Sequence, residues 1–275
     1  MRKHFFILFL IFPLFVGSQN QDDYNYFINK SVNTLYNNPD ECIKLTQSLI
    51  INDKNGNNKV AYQSLISQSY SLKGDYLNSI KTIALIREIS SKNNTNYDQI
   101  YLNFSLADQF QNIGLYNQSS KILDSLKIEK DLLKNETLKG KILQLQAINF
   151  AVNKEYAEAL KLFNESSTYF NEISEENTIL KIENKLFKGI VLINQKKWKE
   201  AIQLFEIVLQ DKNLTNYDFL YALARENASR AYFLNQEVEK SIFLLNEALN
   251  KIKDVDYKQL KGKIYDGLSN AYLSQ

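Results

Sequence analysis

Histidine is all but missing from this sequence: the only one, His4, stands within the first few residues. The rest of the chain has no imidazole, which excludes Ser-His and Cys-His nucleophile pairs and histidine metal sites from it. Cysteine is as scarce. Cys42 alone allows no intrachain disulfide and reads as a small apolar residue on a helix face, with a reactive thiol or an intermolecular bridge as the alternative. Proline occurs only at Pro13 and Pro39, and there are eight glycines, so beyond residue 40 the chain has almost no helix breakers. It is free to be helical nearly throughout. Asn and Ser crowd the positions between apolar residues, which lowers helix propensity and leaves stability to packing between helices.

Chemistry-bearing motifs are missing as well. No Ser stands three residues before a Lys, and no glycine-rich phosphate loop occurs. Carboxylates are plentiful, but Glu175, Glu176 and others like them fall where helix starts and solvated faces are expected. Residues 53–58 have the alternating oxygen ligands of a calcium loop. Their glycine, Gly56, is fourth instead of sixth, and Ser64 stands where the closing Glu belongs, so the segment reads as a turn. No catalytic machinery, cofactor or metal is called for.

What is present begins with Arg2 and Lys3, a short apolar run from Phe5 to Val16, and the small residues Gly17 and Ser18. This is the layout of a cleaved export signal over residues 1–18, with an uncleaved anchor as the alternative. The run is shorter than the ~20 residues of a membrane span, and no span is expected after it. Residues 1–18 hold two basic and no acidic side chains; without them 31 of each sign remain and the net charge is zero. Such a chain lacks the basic footprint of a nucleic-acid binder. The expectation is an exported protein, periplasmic or extracellular in a Gram-negative-type bacterium.

From there the chain repeats itself. Large residues recur at Tyr70, Phe110, Phe150, Leu192, Tyr232 and Tyr272, spaced 40, 40, 42, 40 and 40 apart. Three residues before each stands a small one: Ser67, Ala107, Ala147, Gly189, Ser229 and Ser269. That spacing puts both on one helical face, where the small residue lets a neighbouring helix approach. A turn and a bulky residue follow, namely Tyr76, Tyr116, Tyr156, Trp198 and Val238. A second helix then carries small residues at Ser79, Ser119, Ala159, Ala201 and Ser241 and large ones at Ile83, Leu123, Phe163, Phe205 and Leu245. Thr95-Asn96-Tyr97-Asp98 returns as Thr215-Asn216-Tyr217-Asp218, 120 residues on, each copy before a helix that Thr or Asn is expected to cap. Asn38 is expected to cap an earlier helix, with Pro39 in its first turn.

The small-x-x-aromatic, Gly-x-Tyr, small, large series resembles the tetratricopeptide repeat, best in Lys73-Gly74-Asp75-Tyr76-Leu77-Asn78-Ser79-Ile80. Residues 60–275 fit it, and residues 22–59 fit as a degenerate first repeat, so that residues 19–275 make one repeat domain. The resemblance implies an all-α fold: an α-solenoid, a right-handed superhelix of about thirteen helices stacked as antiparallel pairs. The period exceeds the family's usual ~34 residues. Lys154, Lys196 and Gln236 replace its turn glycine, and Ser91, Asp131, Asn171, Asn213 and Lys253 replace its helix-ending proline. Without that stop the second helix of each pair is expected to run on. Long-helix repeats of this kind resemble the extracytoplasmic region of bacterial membrane-bound transcription regulators.

In the tetratricopeptide family the first helix of each pair lines a concave groove. Here that implies Gln68, Tyr101, Asp108, Gln111, Gln144, Asn194, Glu226, Arg230 and Phe233, a mixture suited to a protein or peptide partner, with a solvated inner wall as the alternative. Three functions compete: a binding scaffold, the sensor segment of a split regulator lacking its membrane span and DNA-binding module, and an enzyme with clustered carboxylates; the scaffold is favoured. The last helix, 258–275, is expected to lack a partner. Leu260, Ile264, Leu268 and Ala271 form its stripe and Tyr265 and Leu273 lie off it, so it is either a cap or the start of a further repeat.

Overall fold

In a computed structural model the chain is described over residues 34–53, 56, 58–93, 96–126, 136–171 and 178–275. The export segment and Thr95 lie outside the described residues. Those residues hold twelve α-helices and no strand, preceded by a helical turn at 34–37. In order they are α1 (Pro39–Asn52), α2 (Lys59–Lys73), α3 (Tyr76–Asn93), α4 (Asn96–Asn112), α5 (Tyr116–Leu126) and α6 (Glu136–Val152). There follow α7 (Tyr156–Asn171), α8 (Thr178–Asn194), α9 (Trp198–Leu209), α10 (Asp218–Leu234), α11 (Val238–Lys251) and α12 (Lys258–Leu273). Consecutive helices pack as α2/α3, α4/α5, α6/α7, α8/α9 and α10/α11, and the first members of successive pairs also touch one another. This is an all-α solenoid.

The five turns inside the pairs share one hydrogen-bond pattern. Asp75, Leu115, Glu155, Lys197 and Glu237 donate their N–H back to the carbonyls of Tyr70, Phe110, Phe150, Leu192 and Tyr232. The residue before each donates to a carbonyl three back, which completes a Schellman cap. The repeating large residues thus stand in the last turn of their helices, third from last in four and fourth from last for Tyr70, and all five are at least half-buried. Each cap needs one residue in the left-handed region. Gly74 and Gly114 supply it at φ 76° and 80°, and Lys154, Lys196 and Gln236 adopt the same conformation at 66°, 61° and 68°. The geometry outlives the glycine because two cap hydrogen bonds and the packed helix ends hold it.

The small positions work as the spacing predicts except on α12, where Ser269 and its large partner Tyr272 are both exposed. Ser79, Ser119, Ala159, Ala201 and Ser241 are all buried. A Cβ on Gly189 would lie 2.4 Å from the Phe205 ring, so only glycine lets α8 approach α9 this closely. Asn38 caps α1 through its side chain, which accepts the Glu41 N–H at 3.2 Å, and Pro39 opens the helix. Asp53 clasps its turn by accepting the N–H groups of Gly56 (3.0 Å) and Asn58 (2.9 Å), the work of a turn carboxylate. Cys42 is fully buried, and burial pushes its thiol pKa up, so it serves as an apolar core residue.

Two local expectations are corrected. Neither Thr215 nor Asn216 caps a helix: both lie in a 3-10 turn, Leu214–Asn216, and α10 starts after Tyr217 with no side-chain cap. The Thr215 hydroxyl instead donates to the Lys212 carbonyl. The second helices also do not all run on. α3 and α7 reach Asn93 and Asn171, but α9 stops at Leu209, where Asp211 accepts the Asn213 N–H at 2.9 Å and turns the chain.

The junctions between repeats are of two kinds. Gln109 Oε1 accepts hydrogen bonds from Ser71 and Ser79 of the preceding repeat, both at 2.7 Å. One repeat on, Asn149 accepts from Gln111 at 2.7 Å and donates to Ser119 at 3.1 Å. In the next two repeats the same position holds Val191, clustered with Ala147 and Ala159, and Ala231, clustered with Ile193 and Ala201.

Candidate functional site

The first helices of all the pairs, together with α12, face one cavity of about 390 Å³. α2 supplies Gln68, α4 supplies Asp108 and Gln111, α6 supplies Lys141 and Gln144, α8 supplies Glu183, α10 supplies Phe219 and α12 supplies Lys263. Such a cavity needs the solenoid to come round on itself, and it does. Tyr257 at the head of α12 donates its hydroxyl to the Asn37 carbonyl at 3.3 Å, and Gln259 bonds Tyr76.

The chain's first described turn seals one wall. Leu35 and Tyr36 are buried, and the Tyr36 ring packs 6.2 Å from Phe219, which meets Tyr257 edge-on at 5.1 Å. The Tyr36 hydroxyl donates to Glu183 Oε1 at 2.5 Å, and Lys141 Nζ pairs with the other Glu183 oxygen at 2.6 Å. Burial, and then the Glu183 charge, raise the Tyr36 pKa well above the phenol range, so Tyr36 is a fixed donor at physiological pH. The Lys141 and Glu183 side chains keep 18% and 10% of their exposure, which makes this a desolvated pair whose partners depend on each other.

Asp108 stands beside this group without an ion-pair partner; its recorded hydrogen bond is from the Asn112 amide at 3.3 Å. Burial raises its pKa to about 6, with Lys141 pulling down and Glu183 pushing up. Gln144 is 2% exposed. Its Oε1 accepts Lys141 at 3.4 Å, whereas its Nε2 has no partner. A buried amide N–H₂ without an acceptor is costly, and this one belongs to a residue of the cavity wall.

Of the nine residues expected to line the groove, Gln68, Asp108, Gln111 and Gln144 face this cavity. Gln111 is committed to structure, since its amide donates to the Leu145 carbonyl and to Asn149. Tyr101 does not face the cavity: it is buried in the core between α4 and its neighbours. Asn194 and Arg230 are exposed and meet each other at 3.5 Å, Glu226 is half-buried with its pKa raised by burial against the pull of Lys263 and Arg230, and Phe233 is half-buried. Tyr36, Lys141 and Glu183 were not anticipated. The repeat held a signal for two of them, because Lys141 and Glu183 occupy the same position in successive repeats, 42 residues apart, and so stack with opposite charge. Among the described residues no group of His, Cys, Asp and Glu side chains could hold a metal ion, and no helix is long and apolar enough to cross a membrane.

Antiparallel helix pairs, Schellman turns at a repeat of about forty residues and an inner face built from first helices define a tetratricopeptide-like α-solenoid. No protein-family model matches the chain in sequence, and no curated protein does. Solved structures do share its fold. NprR in complex with its cognate peptide NprX superposes with a TM-score of 0.66 at 14% identity, over 91% of this chain and 73% of that one. The apo form of RapI follows at 0.57 and 16%, over 92% and 72%. A kinesin light chain with tetratricopeptide-like repeats, from Podosopora anserina, superposes at 0.51 and 14%, over 71% and 95%. At these identities the likeness is one of fold.

Proposed function

We propose that this chain is an exported, non-catalytic scaffold that binds a short peptide, or an extended segment of a partner protein, inside the cavity of its solenoid. The observation that carries the reading is Gln144: a buried side-chain amide, held by Lys141 and unpartnered at the wall of a cavity walled by every first helix. Extended peptides expose unpaired backbone carbonyls, and such an amide is what they need. NprR, solved with a peptide bound, supports a peptide over a folded surface as the occupant. The balance of 31 acidic and 31 basic residues beyond the first 18 supports a protein or peptide partner over nucleic acid. Export rests on the layout of residues 1–18, and with it the periplasm or the cell exterior as the place of action.

Panning the purified chain against random seven-residue peptides displayed on phage tests the binding. Recovered peptides should lose about tenfold in affinity for Gln144→Leu, the worth of one buried hydrogen bond. Peptides that bind the Gln144→Leu protein as well as the parent would place the interaction elsewhere.

A further inference from the structure

Among the described residues, the cavity contains one carboxylate that is in no salt bridge, and Lys141 acts on it only from beyond contact distance. Four ionisable carboxyl and ammonium groups line the cavity: Asp108, Lys141, Glu183 and Lys263. Lys141 is taken up by Glu183 at 2.6 Å, and Glu183 is completed by the Tyr36 hydroxyl at 2.5 Å. Lys263 acts on Glu226, whose other cationic neighbour is Arg230. Asp108 is left with the Asn112 amide and the more distant charge of Lys141, which Glu183 already contacts.

Tyr36, Phe104, Phe187 and Phe219 line the same cavity, and an aromatic wall with a carboxylate in no salt bridge suits an organic cation. An anion placed at Asp108 would meet the Glu183 charge as well, and an uncharged group there would leave Asp108 as it is. In the same cavity, the unpartnered Gln144 Nε2 asks for an acceptor. One ligand fragment answers both needs: an ammonium with a carbonyl a few bonds away.

We infer that Asp108 and Gln144 form a subsite for an alkylammonium group of the bound peptide, either its free amino terminus or a lysine side chain, with a neighbouring ligand carbonyl accepting the Gln144 amide. The inference rests on the proposed peptide function and adds the charge and chemistry of the ligand. No covalent step is involved. The ammonium donates to the Asp108 carboxylate and the rings exclude water from the pair.

Peptides recovered by phage display on the intact chain, synthesised in three forms, test the subsite: unmodified, acetylated at the amino terminus, and with each lysine replaced by norleucine. Either acetylation or norleucine should weaken binding by about tenfold or more, the scale of a charge-assisted hydrogen bond, and which of the two does so identifies the source of the ammonium. Asp108→Asn should weaken the unmodified peptide equally and add nothing to the loss seen with the sensitive modified form. The ligand modifications leave the protein untouched, so they are independent of any effect on folding. If neither modification changes affinity more than about twofold while Gln144→Leu still does, the peptide reading stands and the ammonium subsite is wrong. If binding is also indifferent to Gln144→Leu, the cavity is not the binding site and both fall.

Discussion

Gln109 and Asn149 stand where Val191 and Ala231 stand two repeats later, and the two sets join their repeats by different chemistry. In the first stretch each junction is a hydrogen-bonded knot, Gln109 with Ser71 and Ser79, then Asn149 with Gln111 and Ser119. In the second, alanines and β-branched residues close the same space by contact alone. The turns divide along nearly the same line, Gly74 and Gly114 before, Lys154, Lys196 and Gln236 after. Asp108, which is in no salt bridge, and the unpartnered Gln144 belong to the polar stretch. Apolar junctions stabilise without direction, whereas a buried amide accepts one register and penalises every other. The polar stretch therefore holds its helices in one alignment, which a cavity with fixed donors needs.

Exchanging the chemistry of the junctions breaks the comparison most directly. Val191→Asn places an amide among alanines with no partner and should cost about 3 kcal/mol in urea unfolding. Asn149→Val strands Ser119 and one Gln111 bond and should cost about 2 kcal/mol. By contrast, the triple change Ser71→Ala, Ser79→Ala, Gln109→Val removes a whole knot and should stay within about 1.5 kcal/mol of the parent, below Gln109→Val alone. A triple variant that loses more than the single one would mean that the knot contributes net stability and not register.

The next effect in size concerns Asp108. Its folded pKa of about 6 lies above the ordinary carboxyl value of 3.8, so the folded state binds the proton more tightly than the unfolded state does. Stability should therefore fall as pH rises from about 4 to about 6 and level off above that range. The groups facing it are Lys141, Glu183, Asn112 and Tyr36. Asp108→Asn should remove that slope and raise stability at pH 7.5 by about 1 kcal/mol, discounted for the water that the cavity admits. Urea midpoints of both proteins across pH 4 to 8 measure it, and parallel curves would mean that the carboxyl is fully solvated.

Smallest are the turns. Lys154→Gly, Lys196→Gly and Gln236→Gly relieve a left-handed conformation and should each gain about 0.5–1 kcal/mol. Gly74→Ala should lose about 1 kcal/mol by strain alone, since its new Cβ would meet only the Gln259 side chain at 3.7 Å. Equal and opposite shifts in thermal midpoint would show that the turns in the two stretches are one structure with two residue choices.

Much of this was legible in advance. The spacing of Tyr70, Phe110, Phe150, Leu192 and Tyr232 located five helix ends, and Ser79, Ala159 and their equivalents located five buried crossings, because a solenoid copies local rules once per repeat. The stripe of α12 was read residue by residue, with Leu260, Ile264, Leu268 and Ala271 buried and Tyr265 and Leu273 exposed. The inner face was read less well. Tyr101 and Lys141 hold equivalent positions, yet one is buried in the core and the other faces the cavity, since a small rotation of a helix decides which side of a wall its residue meets. Thr215 offered a cap that a 3-10 turn made unnecessary.

Period, helix count per repeat and the residues at crossings and caps follow from the order of amino acids, because each depends on neighbours within one or two helices. The closing of the solenoid does not. That α12 returns to Asn37 and Tyr76, that Tyr36 reaches Glu183 across 147 residues, and that Asp108 and Gln144 line one cavity depend on the superhelical twist summed over every repeat. A few degrees per junction, accumulated around the whole turn, separate an extended groove from a cavity whose two ends meet.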